Sequence, residues 1–253
     1  MSQRKIVVAN WKMNLAGEEG AELAKKIKAK LAKKSGQVAV VLCPSFPDLT
    51  AVKKVLEKTN IELGAQNVFW QGKGAFTGEI SPRQIRAAGC RYVIVGHSER
   101  RQYLGETDEM VNKKVLAALE AGLKPIICVG ETLDEKMNQQ AEAVIFRQLS
   151  AAIEGVELTG KEELIISYEP VWAIGTGQVI EPADAERAFR LMRQILIDHF
   201  PKSIAANIKL LYGGSVDAEN APDFRAVELL DGFLVGGASL DVDKFTRIIE
   251  SLN

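Results

Sequence analysis

Residues 92–129 read YVIVGHSERRQYLGETDEMVNKKVLAALEAGLKPIICV and contain the kind of unit on which the fold depends. Tyr92 to Val95 and Pro125 to Val129 are short apolar or β-branched runs, as expected of parallel strands that are covered on both faces. Between them, Thr107 to Glu120 has the composition and period of a helix, and Gly122 follows its end. The stretch therefore predicts a strand, a crossover helix and a second, parallel strand.

The same alternation recurs along the whole chain. Further strand-like runs are Ile6 to Ala9, Val38 to Leu42, Ile61 to Ala65, Leu164 to Tyr168, Ile208 to Tyr212 and Gly232 to Val235, and further helical segments are Glu18 to Lys34, Gln140 to Ile153 and Ala183 to His199. Ser81 before Pro82 is typical of a helix cap followed by a first-turn proline. About eight strand-then-helix units fit a closed (β/α)8 barrel better than an open doubly wound sheet. No Ser- or Pro-rich linker interrupts the chain, so we predict one α/β barrel domain over residues 1–253.

Composition and charge exclude several classes of protein. The chain has 253 residues, and 32 Lys and Arg against 33 Asp and Glu give a net charge of −1. A nucleic-acid groove or a polybasic membrane surface needs clustered positive charge, so we expect neither partner. Cys43, Cys90 and Cys128 are widely spaced and odd in number, which predicts reduced, buried thiols. The short polar stretch Met1 to Lys5 does not resemble a signal peptide, and we expect a cytoplasmic protein.

Polar residues occupy the strand ends, where barrels of this class place their active sites. Asn10 and Lys12 follow the first predicted strand, His97 and Glu99 follow the fourth, and Glu169 follows the sixth. The sequence has no cluster with metal-ligand spacing and no Gly-x-Gly-x-x-Gly after a strand. We therefore expect chemistry that uses neither a metal nor a dinucleotide cofactor.

Glu169 and His97 are candidate acid-base groups. A carboxylate that points into the barrel mouth can act as a general base, although a rim carboxylate paired with Lys or Arg would show the same pattern. Ser98 can begin a short helix, whose positive end would keep the ring of His97 neutral and able to donate a hydrogen bond. A purely structural histidine is the alternative. His199 lies late in an amphipathic helix and is expected at the surface.

Two glycine pairs predict an anion site. Gly213-Gly214 and Gly236-Gly237 follow the last two strands, where barrels commonly bind phosphate through backbone N–H groups. Lys12 would supply a fixed cation for an anionic substrate, or a Schiff base. Ordinary tight turns and a solvated lysine are the alternatives.

A candidate lid follows Glu169. Its apolar start can cover a closed site and its glycines can absorb dihedral change, whereas packing of the tryptophan would make it a static loop. The segment consists of Pro170, Val171, Trp172, Ala173, Ile174, Gly175, Thr176 and Gly177.

Together these segments resemble the triosephosphate isomerase family. The matching stretches, in the family's order, are Ala9 to Asn14, Gly64 to Asn67, Gly72 to Glu79, Val95 to Arg101, Cys128 to Glu131, Tyr168 to Gly177, Tyr212 to Ser215 and Leu234 to Leu240. The resemblance implies a barrel that interconverts dihydroxyacetone phosphate and glyceraldehyde 3-phosphate without a cofactor, as in glycolysis and gluconeogenesis.

The resemblance also implies roles for individual residues. Glu169 is the base that moves a proton between adjacent carbons, and neutral His97 polarises the carbonyl, a pairing established for this family. Lys12 and Asn10 hold the substrate and stabilise the enediolate, with Glu99 in support. The N–H groups that bind the phosphate belong to Gly175, Ser215, Gly236 and Gly237.

The segment from Gln66 to Glu79 is long for a strand-to-helix connection and carries Phe69, Trp70 and Phe76. Such an apolar loop suggests a partner surface, unless its aromatic rings fold back on their own barrel. In the resembling family the loop docks beside the first-strand residues of a second subunit, with Thr77 at its tip, so a homodimer is expected.

The sequence departs from the family after the lid, where Gln178-Val179-Ile180 replaces the frequent Lys-Thr-Ala. Two rival functions remain at this point. Another phosphate-binding barrel, such as a phosphoribosylanthranilate isomerase, would share the glycine pairs but gives no reason for His97, Glu169 and the lid together. A silent phosphosugar-binding protein would have no need of Lys12, His97 and Glu169.

Overall fold

Eight parallel strands close into a barrel. The computed structural model describes residues 4–32, 38–160, 163–174 and 178–253. The strands follow one another around the barrel in chain order, and the first pairs with the last. They are β1 (Ile6–Asn10), β2 (Ala39–Cys43), β3 (Ile61–Ala65), β4 (Tyr92–Val95), β5 (Lys124–Val129), β6 (Ile165–Tyr168), β7 (Lys209–Tyr212) and β8 (Gly232–Val235). Each predicted strand is present with bounds within one residue of those predicted, so the (β/α)8 barrel is confirmed.

Helices connect the strands and surround the barrel. They are α1 (Glu19–Leu31), α2 (Leu49–Leu56), α3 (Pro82–Ala87), α4 (Ser98–Leu104), α5 (Asp108–Glu120), α6 (Leu133–Met137), α7 (Ala141–Ile153), α8 (Pro182–His199), α9 (Lys202–Ala205) and α10 (Val242–Glu250). Short 3-10 turns cover Phe46–Asp48, Val171–Ala173, Ala221–Ala226 and Gly237–Leu240. Helix α1 ends at Leu31, and Lys34, its predicted end, lies outside the described residues.

Alternation along the strands builds two apolar layers. Ile6 and Val8 of β1 point into the barrel, while Val7 and Ala9 pack outward together with helical residues such as Ile27. The inner layer also contains Val41, Cys43, Tyr92, Ile94, Ile126, Cys128, Ile165, Leu211 and Leu234. The barrel is therefore filled by side chains, and the polar groups lie beyond its strand ends.

Several local predictions are confirmed. Ser81 caps α3 in a capping box with Gln84, because each side chain bonds the other residue's backbone N–H. The three cysteines are free and buried. His199 lies exposed in the last turn of α8. None of the helices in the described part of the chain is both long enough and apolar enough to cross a membrane.

Candidate active site

The end of β1 turns sharply so that Lys12 faces the barrel mouth. Asn10 is buried, and its Oδ1 accepts a hydrogen bond from the backbone N–H of Lys12 at 3.1 Å. The backbone of Lys12 is left-handed, with φ of 52°, a conformation that is unusual for residues other than glycine. Gln66, which follows β3, donates from Nε2 to the carbonyls of Lys12 and Cys43. These hydrogen bonds hold a strained turn in place.

Lys12 and Glu99 form an ion pair at the rim of the site. Nζ of Lys12 lies 2.6 Å from Oε1 of Glu99, and both side chains are partly exposed. The pair therefore fixes the direction of the ammonium group more than it stabilises the fold, because solvent screens exposed charges.

His97 lies at the junction of β4 and α4. It is the N-cap of α4, and its Nδ1 accepts a hydrogen bond from the backbone N–H of Glu99 at 3.3 Å. An accepting Nδ1 carries no proton, so the neutral ring carries its hydrogen on Nε2. That Nε2 lies 3.6 Å from Oε1 of Glu169. The hydrogen bond to Nδ1 thus favours Nε2 as the nitrogen that donates towards the cavity.

Glu169 follows β6 and is only 1% exposed. Its Oε2 accepts a hydrogen bond from the backbone N–H of Ser98 at 3.2 Å, and its Oε1 accepts none from the described residues. It forms no ion pair with a Lys or Arg within the described ranges, which argues against the alternative of a rim salt bridge. A Cβ on Gly213 would lie 2.9 Å from Cγ of Glu169. The absence of a side chain at Gly213 therefore leaves room for the carboxylate.

Cys128 lies beneath the carboxylate, inside the barrel. Burial, and then the charge of Glu169, raise the pKa of its thiol well above the ordinary value. The thiol therefore stays protonated and lies against the carboxylate of Glu169.

A cavity of about 350 Å³ brings most of the predicted residues together. It is lined by Asn10, Lys12, His97 and Glu169 together with Ser215, Gly236 and Gly237, and a Cβ on Gly236 would lie 3.7 Å from Nζ of Lys12. Asp241 and Lys244 also line it, although no strand-end pattern in the sequence predicts them there. Asp241 caps α10, and its position two residues before Asp243 is a sequence signal for the start of a helix. Among the described residues, no group of His, Cys, Asp and Glu could hold a metal ion.

The described part of the predicted lid is anchored beside this cavity. Val171–Ala173 forms a 3-10 turn, and Ile174 lines the cavity. Nε1 of Trp172 donates to Oε1 of Glu131 at 2.7 Å, and Nζ of Lys136 lies 3.2 Å from the centre of the indole ring. Burial raises the pKa of Glu131, although the hydrogen bonds from Trp172 and Tyr168 oppose that effect. Gly175, Thr176 and Gly177 lie outside the described residues.

A buried network of charged side chains holds the backbone of Gly96, the residue that precedes His97. Oε1 of Glu106 accepts a hydrogen bond from the backbone N–H of Gly96 at 3.0 Å, and its Oε2 pairs with Arg100 and Lys114. Lys114 also donates to Oδ1 of Asn67 at 2.9 Å. Burial alone would raise the pKa of Glu106, but the charges of Lys114 and Arg100 outweigh it and the pKa is lowered. The residue preceding His97 is thus tied to an ionised carboxylate that the sequence analysis did not identify.

The predicted partner loop is exposed. Thr77 lies at the surface and away from the lining of the cavity. The rings of Phe69 and Trp70 have centroids 4.0 Å apart, and those of Phe69 and Phe76 are 4.8 Å apart. The aromatic rings therefore contact one another in tilted arrangements within the loop, and Phe76 remains 44% exposed.

Comparison with known proteins identifies the family. The family model described as Triosephosphate isomerase matches residues 5–252. A triosephosphate isomerase from Carboxydothermus hydrogenoformans is 46% identical over 248 residues, covering 98% of each chain. Those from Caldanaerobacter subterraneus subsp. tengcongensis and Thermoanaerobacter pseudethanolicus are 45% and 44% identical over 247 residues, covering 98% of this chain and 99% of each relative. The chain belongs to the triosephosphate isomerase family.

Proposed function

We propose that this chain interconverts dihydroxyacetone phosphate and glyceraldehyde 3-phosphate by proton transfer through an enediolate, with Glu169 as the base. The observation that carries the proposal is the meeting of Glu169, His97 and Lys12 on one cavity, with Nε2 of His97 3.6 Å from the carboxylate. A buried carboxylate, a neutral donor and an ammonium group are the three parts that enolisation of a phosphorylated carbonyl compound requires.

Each of these groups has a separate task in the proposed reaction. Glu169 removes a proton from the carbon next to the carbonyl and returns it to the neighbouring carbon. Nε2–H of His97 donates to the oxygen on which negative charge develops, and Lys12 supplies a positive charge to the same intermediate. Donors placed in advance at such an oxygen are worth roughly 3 to 4 kcal/mol each. Asn10 orients Lys12, and Glu99 holds its ammonium group.

We propose that the phosphate binds at the glycine-rich part of the cavity, through backbone N–H groups of Ser215, Gly236 and Gly237. The 3-10 turn Gly237–Leu240 begins there, and the N–H groups at the start of such a turn have no partners within it. Gly175, the fourth member of the proposed phosphate site, belongs to the part of the chain outside the described ranges.

We further propose that residues 170–177 act as a lid over this cavity. Support comes from residues 170–174, since Ile174 lines the cavity while Trp172 donates a hydrogen bond to Glu131, which does not line it. Exclusion of water by a lid would strengthen every charge interaction inside and protect the enediolate from loss of phosphate.

The test is a coupled isomerase assay on purified protein, run with and without EDTA. We expect turnover of both triose phosphates, and we expect the same rate after chelation because the proposed groups are all side chains and backbone amides. Absence of turnover would contradict the proposal and favour a binding protein. Turnover that is lost on chelation and restored by a metal would contradict the cofactor-independent mechanism.

The chain is also proposed to act as a homodimer in the cytoplasm, with residues 1–253 forming one catalytic domain. The loop from Gln66 to Glu79, whose residues 71–79 are exposed and whose aromatic rings contact one another, supports a subunit contact. Thr77 is the proposed contact at its tip.

Replacing Thr77 by Arg is expected to raise the monomer–dimer dissociation constant at least about a hundredfold, because a bulky charge would be buried against the partner. Sedimentation equilibrium measures this constant. The matched control is Ser203→Arg on α9, an exposed position before β7 and thus at the opposite end of the barrel. A Thr77→Arg protein that remains as dimeric as the control would exclude this loop tip from the interface.

A further inference from the structure

One polar side chain interrupts the buried face of α7. Gln148 is 5% exposed, and the other buried residues of this helix are apolar, namely Val144, Ile145, Leu149, Ala152 and Ile153. An amide buried among apolar groups is unfavourable unless its hydrogen-bonding capacity is used. The presence of Gln148 on this face therefore requires a specific partner.

That partner is the backbone of one residue, Gly130, which follows β5. Oε1 of Gln148 accepts a hydrogen bond from the N–H of Gly130 at 2.8 Å, and Nε2 donates to the carbonyl of Gly130 at 3.3 Å. The side-chain amide thus serves both polar groups of a buried residue that lies beyond the end of the sheet. It fixes the position of Gly130 relative to α7.

Gly130 in turn lies directly against Glu169. A Cβ built on Gly130 would overlap the carbonyl oxygen of Glu169, so the two backbones are in contact with no space between them. On either side of this contact, the N–H of Glu169 donates to the carbonyl of Val129 at 2.7 Å and that of Val171 donates to the carbonyl of Glu131 at 2.9 Å. A displacement of Gly130 would therefore move the backbone that carries the carboxylate.

Packing does not fill the space around this contact. A cavity of about 450 Å³ is lined by Gly130, Gln148, Glu169 and Val171, with Arg101 and Thr132 on other walls. The segment could shift into this cavity if nothing tied it back. The two hydrogen bonds of Gln148 take the place of packed side chains there.

We propose that Gln148 is a positioning residue that sets the place of Glu169 through Gly130. The inference rests on the proposed role of Glu169 as the base. Gln148 contacts neither the substrate cavity nor the carboxylate by a hydrogen bond, and it acts only through the backbone. Because a misplacement of about 1 Å in a reacting group can lower a rate about a hundredfold, a distant amide can control the reaction in this way.

The test is Gln148→Met, which keeps the length of the side chain and removes both hydrogen bonds. We expect kcat to fall about 10- to 100-fold, and KM to change by less than about threefold because Lys12 and the phosphate site are untouched. Rates are expressed per folded protein, counted by titration with an enediolate mimic that carries a phosphate. The matched control is Ile145→Val, one turn earlier on the same buried face, which should lower Tm and leave kcat unchanged.

A double-mutant cycle with Glu169→Ala shows whether the effect passes through the base. If it does, Gln148→Met should change the residual rate of Glu169→Ala by less than about twofold. An equal loss in both backgrounds, or an unchanged kcat in Gln148→Met alone, would overturn the inference.

If Gln148→Met does not fold, the same results are expected of Gln148→Asn, whose side chain is one methylene too short to reach Gly130. An inactive parent protein, or a fully active Glu169→Ala variant, would instead refute the proposed function itself.

Discussion

Replacing Glu169 by Ala is expected to lower kcat by about a hundredfold to ten-thousandfold, the range that a positioned general base contributes. The carboxylate is 1% exposed, and its Oε1 lies 3.6 Å from Nε2 of His97. Glu99, the other carboxylate near the imidazole, lies on the Nδ1 side and is paired with Lys12. Binding of a phosphate-bearing analogue should persist, because Lys12 and the glycine-rich wall remain. Steady-state kinetics and calorimetric titration measure the two quantities separately.

A matched control for this variant is Glu154→Ala, which removes an exposed carboxylate that follows α7. It should retain the rate of the parent protein. If Glu169→Ala were equally active, the assignment of the base would be wrong. If it lost analogue binding together with activity, the carboxylate would be needed for the shape of the site and its chemical role would remain unproven.

His97→Asn is expected to lower kcat about a hundredfold to a thousandfold with a smaller change in KM. Asparagine is a favourable N-cap, so it can keep the hydrogen bond from the N–H of Glu99 and with it the start of α4. Its shorter side chain removes the donor that Nε2 provides next to Glu169. The variant therefore separates the capping role of this residue from its proposed role on the substrate oxygen.

The chain contains one other histidine, and replacing it by the same residue is a matched control for His97→Asn. His199→Asn changes an exposed residue at the end of α8 and should leave kcat unchanged. With only two imidazoles, nitrogen NMR of the parent protein can also identify the tautomer of His97, which we expect to carry its proton on Nε2. A protonated Nδ1 in the resting enzyme would contradict the proposed donor.

The strands were predictable because most of their residues are buried and apolar, and the polar ones lie mainly at strand ends. Pro125 to Val129 illustrates this, since the structure adds only Lys124, whose pairing with Tyr92 depends on the neighbouring strand. The connection from β7 to β8 was less predictable. Its 3-10 turn Ala221–Ala226 has no helical period that a sequence pattern could reveal.

The positions of Lys12, His97 and Glu169 were predictable for a geometric reason. The C-terminal ends of parallel strands meet at one rim, so residues that directly follow β1, β4 and β6 must approach each other. Their roles remain proposals, whereas the fold, the family and the isomerase class are confirmed.

The supporting contacts could not be predicted in the same way. Gln148 lies on a helix whose pattern gives its buried face but not the partner of a single amide. Glu106, in the loop before α5, and Lys114, in α5, likewise have the appearance of ordinary surface charges in the sequence. Only the folded chain shows that they are buried together. These contacts join residues 8 and 18 positions apart that lie in different elements or loops, and the local pattern of each residue does not identify its partner.

The left-handed backbone of Lys12 links activity to thermal resistance. A residue with a side chain held in this region is destabilised by roughly 1 to 2 kcal/mol, a penalty that glycine would not incur. Selection for heat tolerance alone would thus favour Gly at position 12 and discard the ammonium group, so variants chosen in a stability screen should be sequenced there before their usefulness is judged.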